Sequence, residues 1–218
     1  MLPWKTLATV QTAEGPLVLK QRGNTFHIVI GGRVLMTSDE RRSEEALSTL
    51  ALTGLPKNPR VLIGGLGMAY TLRAALDVLP PTAQVTVAEL TPVVEEWCRG
   101  PLAVLTDNAV GDPRVHVKIG DVSKVIADAP RGAYDAILLD LYEGPNAQTQ
   151  GKDDPFYGTT ALVRSKAALA PSGVLSVWAE ELDAPFQKRF VAAGFKVEVH
   201  RLGSSRVHVV YLGRKLAP

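Results

Sequence analysis

From Arg60 onward, short apolar runs alternate with stretches of helical period. Val61–Ile63, Val85–Ala88, Val115–Val117, Ala136–Leu139 and Val174–Trp178 are brief and almost continuously apolar. That is how strands buried on both faces of a sheet read. Between and after them, helices are expected over Tyr70–Val78, Pro92–Arg99, Val122–Ala127, Tyr157–Ala170 and Pro185–Ala193. Alternation of this kind implies a mostly parallel, doubly wound sheet. The last two strands, Phe195–His200 and Val207–Leu212, are separated by too few residues for a parallel crossover, so they must form an antiparallel pair.

The first 36 residues carry a different pattern. Leu7–Val10 and Leu17–Leu19 flank the turn signal Glu14-Gly15-Pro16, and Phe26–Ile30 and Arg33–Met36 flank Gly31-Gly32, a two-residue hairpin signature. A helix should follow. Thr37 and Glu40 have capping-box spacing, Ala46, Leu47, Leu50 and Ala51 share one face, and Gly54 and Pro56 end it. The chain therefore divides into a β-hairpin region, 1–36, and an α/β unit, 37–218.

Composition narrows the possible roles. Of 218 residues, 46% are hydrophobic and 21% charged, which suits a globular fold. A net charge of +2 is too small to argue for nucleic acid as a partner. No apolar run reaches the roughly 20 residues of a membrane span, and the start lacks the order of a signal peptide, so the cytoplasm is the expected location. The single cysteine, Cys98, excludes an internal disulfide framework and reads as a helix packing residue. His27, His116, His200 and His208 fall in expected strands without ligand spacing. They are assigned no chemistry, and no metal is expected.

The first strand of the α/β unit enters Gly64-Gly65-Leu66-Gly67-Met68-Ala69. Gly65 and Gly67 allow the tight turn and the close backbone approach that a ligand needs. Glu89 ends the second strand, where a carboxylate can accept both ribose hydroxyls of a nucleoside. Asp121 follows the third strand and can take an adenine amino group. Asp140 ends the fourth. Together they mark the carboxyl edge of a parallel sheet, where such folds bind ligands. The alternative use of Glu89 and Asp121 is helix capping, which acids also favour. NAD fits less well, because Tyr70 stands where its glycine pattern needs a third glycine.

The strand pattern is that of class I methyltransferase-like folds. At Val61–Arg73, Val87–Pro92, Asp112–Val115 with Gly120-Asp121, and Tyr134–Asp140, the chain resembles the spermidine synthase family of aminopropyltransferases. The resemblance runs from about Phe26 to Trp178. It implies a Rossmann-like fold, a donor of the S-adenosylmethionine (SAM) or decarboxylated SAM type, a small-molecule acceptor and a homodimer built partly on the N-terminal hairpins. It also exposes departures. Met68 stands where the family has an acid that grips the aminopropyl amino group. Glu143 replaces the second Asp after the fourth strand, while Asp140 matches the first. Arg42-Ser43 stands about where a Tyr-His pair is expected.

Loss of the acid at position 68 removes a repulsion against the carboxylate of SAM, and Arg42 could help hold that carboxylate. Methyl transfer to a small molecule is therefore the expected reaction. Asp140 would act as base with Glu143 assisting, and Arg42, Tyr142, Tyr157 and Trp178 would line the acceptor pocket under a lid formed by 141–156. The alternatives are aminopropyl transfer making spermidine from putrescine, and a non-catalytic nucleoside-binding or assembly protein.

Overall fold

The computed structural model describes residues 2–142, 144–146, 148, 150–203 and 207–216. Four N-terminal strands, β1 (Lys5–Thr12), β2 (Gly15–Arg22), β3 (Thr25–Ile30) and β4 (Arg33–Thr37), form an antiparallel meander. Its last turn is the expected one. Ile30 pairs with Arg33, and Gly31 and Gly32 take φ of 52° and 88°, a left-handed pair that a two-residue hairpin requires.

Helix α1 (Arg42–Leu52) departs from expectation at its start. Thr37 is the last residue of β4 and caps nothing. Arg41 occupies the cap position without a side-chain hydrogen bond, while Glu44 and Glu45 place negative charge in the first turn. That charge complements the positive end of the helix dipole. The strand pairing of Thr37 with His27 outcompetes the capping box.

The α/β unit follows as β5 (Arg60–Gly64), α2 (Tyr70–Val78), β6 (Gln84–Glu89), α3 (Pro92–Arg99), β7 (Val115–Ile119), α4 (Val122–Ala127), β8 (Tyr134–Leu139), α5 (Thr159–Ala168), β9 (Leu169–Ala179), α6 (Ala184–Ala192), β10 (Phe195–Leu202) and β11 (His208–Lys215). The sheet order is β10-β11-β9-β8-β5-β6-β7. All pairings among β5 to β9 are parallel, and β11 inserts antiparallel between β9 and β10. This is the mostly parallel seven-stranded sheet with a C-terminal antiparallel hairpin that the sequence implies.

Alternation along the central strands sends side chains to opposite faces. Val61, Ile63, Ala136 and Leu138 join one apolar cluster, and Leu62, Ile137 and Leu139 join the other. Leu17, Leu19, Phe26 and Ile28 of the N-terminal sheet belong to the first cluster, with Leu47 and Ala51 of α1 and Leu72 of α2. Each Val, Leu, Ile or Phe side chain among them, fully buried, contributes roughly 1.5–3 kcal/mol. The N-terminal sheet thus shares its core with the helices that carry the glycine turn. Among the described residues no helix is long and apolar enough to cross a membrane.

Candidate active site

Strand β5 is central. The chain runs from it to β6 and β7 on one side, then crosses to β8 and β9 on the other. The crevice above its carboxyl end is therefore a topological switch point, the usual ligand position in such sheets.

The turn after β5 is shaped by its glycines. Gly65 has φ 88°, and a Cβ there would collide with the Asp140 carbonyl. Asp140 N–H donates to Gly64 O at 2.9 Å and Gly65 N–H to Ala88 O at 2.9 Å, so the turn is tied to both flanking strands. Gly67 has φ 51° and lies under Met36 of β4. The Met68 amide donates to Met36 Sδ at 3.3 Å, and Tyr70 Oη donates to Ser38 O at 3.0 Å. The N-terminal sheet is thereby fastened onto the turn.

Glu89 is 7% exposed at the end of β6. Its Oε2 accepts from Leu66 N–H at 2.9 Å and its Oε1 from Thr91 N–H at 2.8 Å. Burial pushes its carboxyl up, and these amides pull it down. Leu90 and Ile119 beside the edge are exposed large apolar residues, suited to a flat base. Asp121 caps α4, accepting from Ser123 N–H at 2.8 Å. The capping use is therefore present, and an adenine would have to engage the second carboxylate oxygen.

Asp140 lies at the end of β8, where its Oδ2 accepts from Thr71 Oγ1 at 2.5 Å. The residue keeps some contact with solvent, but its carboxyl sits deep among protein atoms. Burial first, and the charge of Glu44 second, push it up to about 7, against the pull of Thr71. Glu44 arrives from α1. Its own carboxyl is raised by burial and accepts from Ser43 Oγ at 2.6 Å. Neither Glu44 nor Thr71 stands out in the sequence. Thr71, inside the Val61–Arg73 stretch, reaches Asp140 from α2, and α1, packed on α2, brings the charge of Glu44 to bear on it.

Several expected residues land elsewhere. Arg42 is exposed, whereas Ser43, Leu47, Ser48 and Ala51 form the buried face of α1. One residue turns a helix by about 100°, enough to swing position 42 into solvent. Met68 is fully buried in the first apolar cluster and presents no side chain to a donor tail. Tyr157 precedes α5 instead of opening it. It is buried against Phe186 at 5.8 Å, its hydroxyl has no hydrogen-bond partner, and burial together with Asp154 and Asp140 pushes it up. It is a wall of the core next to Asp140, not an open bracket. Tyr142 is 44% exposed with the Arg33 guanidinium 4.9 Å over its ring. Trp178, half-buried at the end of β9, leaves Nε1 buried without a partner. Glu143 lies outside the described residues. The segment after β8 is stitched to itself through Gln150 Nε2 donating to Gly144 O at 2.9 Å, and Asp154 accepting from Tyr157 N–H at 2.7 Å.

This sheet order and edge define a Rossmann-like protein of the class I methyltransferase fold. No protein-family model matches the chain. Over 178 residues, 79% of its length, it is 31% identical to the polyamine aminopropyltransferase of Mycobacterium tuberculosis. Over 194 residues it is 32% identical to polyamine aminopropyltransferase 2 of Streptomyces coelicolor, and over 158 residues 30% identical to spermidine synthase 2 of Datura stramonium. The chain spans 32%, 33% and 47% of those relatives. The spermidine synthase of Thermotoga maritima superposes on 98% of the chain, covering 74% of its own, with a TM-score of 0.78 at 18% identity. In sequence and fold the chain is spermidine-synthase-like, as the residues of its strand ends imply. The relatives are polyamine aminopropyltransferases and spermidine synthases by name.

Proposed function

We propose that the chain is an aminopropyltransferase-type enzyme that moves a three-carbon amine from the sulfonium of decarboxylated SAM to a small amine acceptor. The observation that carries this reading is the Asp140 carboxyl at the end of β8, held by Thr71 Oγ1 and subject to the charge of Glu44 on α1. Donor tail and acceptor are both cations, and acids at this sheet edge hold them by charge-assisted hydrogen bonds. The same acids repel the carboxylate of SAM. The argument for methyl transfer from Met68 assumed a side chain facing the donor. That side chain is buried in the core, so the argument falls.

In this reading Gly65, Gly67, Glu89 and Asp121 hold the nucleoside. Asp140, held by Thr71, orients the acceptor amine and takes part in its deprotonation, with in-line displacement at the donor carbon following from alignment. Trp178 and Tyr142 flank the acceptor. A second copy of the chain is the proposed partner.

Paired calorimetric titrations of SAM and decarboxylated SAM test the proposal. Wild type should prefer the decarboxylated donor. Glu44→Gln should erode that preference about tenfold or more, since partly screened charges about 4 Å apart contribute a few kcal/mol. Glu89→Ala should weaken both donors alike, by roughly 2–4 kcal/mol. Preference of the wild type for SAM would return methyl transfer to first place.

A further inference from the structure

A donor whose ribose is held at Glu89 and whose transferred carbon reaches Asp140 must pass over β5, which stands between β6 and β8 in the sheet. Its tail therefore crosses the glycine turn. From Gly64 to Tyr70 only Gly65 and Gly67 are partly open to solvent, and the other residues are buried. The tail meets the turn at those two glycines.

The backbone groups of this turn are largely taken. Gly65 N–H donates to Ala88 O at 2.9 Å, Leu66 N–H to Glu89 Oε2 at 2.9 Å and Ala69 N–H to Leu66 O at 2.7 Å. Met68 N–H donates to Met36 Sδ at 3.3 Å, and on the other side of the same peptide Gly67 O accepts from Cys98 Sγ at 3.3 Å. The Gly67–Met68 peptide is thus held by two sulfurs, one from β4 and one from α3. The first three amides are donated to oxygen. The amide of Met68 rests on a thioether, a weak acceptor, supplied by a side chain from outside the turn. A Cβ at Gly67 would come within 3.0 Å of the same sulfur, so Met36 also covers the open glycine. Met36 is itself half-buried and forms part of the surface beside Gly67.

The consequence depends on the tail. SAM ends in a carboxylate and an ammonium, decarboxylated SAM in the ammonium alone. A carboxylate seeks N–H donors, and a charge-assisted bond to an amide is stronger than the bond that a thioether makes. We propose that Met36 is a donor-specificity residue: by covering Gly67 and occupying the Met68 amide, it denies the turn to a carboxylate and leaves the site to a donor without one. This rests on the aminopropyl reading. Position 68, which the sequence singles out for its side chain, acts here through its backbone. The β-hairpin region gains a part in choosing the donor.

The test is paired calorimetric titration of SAM and decarboxylated SAM against wild type, Met36→Ala, Met36→Val and Cys98→Ala, with melting curves to confirm folding. Valine suits a strand and ends short of the amide. In both Met36 variants SAM should bind about tenfold more tightly while decarboxylated SAM holds, because the released amide gains a charged partner. Cys98→Ala releases the carbonyl and not the amide, so the ratio of the two affinities should stay at its wild-type value. An unchanged ratio in folded Met36 variants, or an equal loss of both affinities, would overturn the role of Met36. A ratio that moves as far in Cys98→Ala would trace the effect to a loosened turn and overturn it as well. Wild-type preference for SAM would instead overturn the aminopropyl reading, and the role of Met36 with it.

Discussion

Asp140 is an acid whose protonated form the fold favours, since its folded pKa near 7 lies above the ordinary 3.8. The stability that this preference supplies is complete below about pH 4 and is lost as pH rises through about 7. Asp140→Asn removes the penalty at neutral pH while keeping the hydrogen bond with Thr71 possible. It should melt no lower than wild type at pH 8, bind the donor nucleoside with little change, and lose roughly 10²–10⁴ in turnover. Melting curves at pH 5 and pH 8, alongside steady-state rates, check all three. A fall in donor affinity equal to the fall in rate would make Asp140 a structural residue. Asp140 and Glu89 were legible in the sequence because each closes an apolar run, and the end of a parallel strand is a fixed place. Glu44 and Thr71 were not, because their roles depend on which way α1 and α2 face. Met68 aligned with a functional position but points into the core, which alignment alone cannot tell.

At the scale of elements, Asp112-Pro113-Arg114-Val115 shows how a family motif can serve architecture. Arg114 Nη1 donates to the carbonyls of Leu76 and Leu79 at 3.1 and 2.9 Å, closing the end of α2, while Asp112 grips the guanidinium at 2.8 Å. The hydrogen bond from Arg114 holds the Asp112 carboxyl down at about 2. Its contribution is therefore present above about pH 4 and disappears as pH falls toward 2. Discounted for solvent contact, it amounts to roughly 1–2 kcal/mol. Asp112→Asn should lower the melting temperature at pH 7 and narrow its gap to wild type at pH 2.5. An equal gap at both values would remove the ion pair from the account. Helices α2, α3 and α4 begin and end where hydrophobic period and proline place them. The start of α1 was missed because a cross-strand partner 10 residues upstream, His27, decides the fate of Thr37. No local signal reports that.

For the whole molecule, the parallel sense of the five alternating strands and the antiparallel ending followed from alternation and the short last connection, whereas their order in the sheet did not. What the sequence left hidden was the coupling of the two sheets. Met36 and Ser38 bind the glycine turn, and Leu19 and Phe26 enter the core behind it. The N-terminal sheet is thus part of the frame of the proposed donor site. Its outer strand β1 has a neighbour on one side only among the described residues, and such an edge invites a second chain. The proposed homodimer should appear in light scattering at micromolar concentration, and a charge introduced at the exposed Thr9→Lys should weaken it if β1 is buried there. A monomer under those conditions would count against it. The central claim, that acids at the end of β8 select a decarboxylated donor for transfer to an amine, is tested most directly by product mass. Wild-type protein given equal SAM and decarboxylated SAM with a diamine should yield an acceptor heavier by one aminopropyl group. An acceptor heavier by one methyl group, with no aminopropyl product, would contradict it.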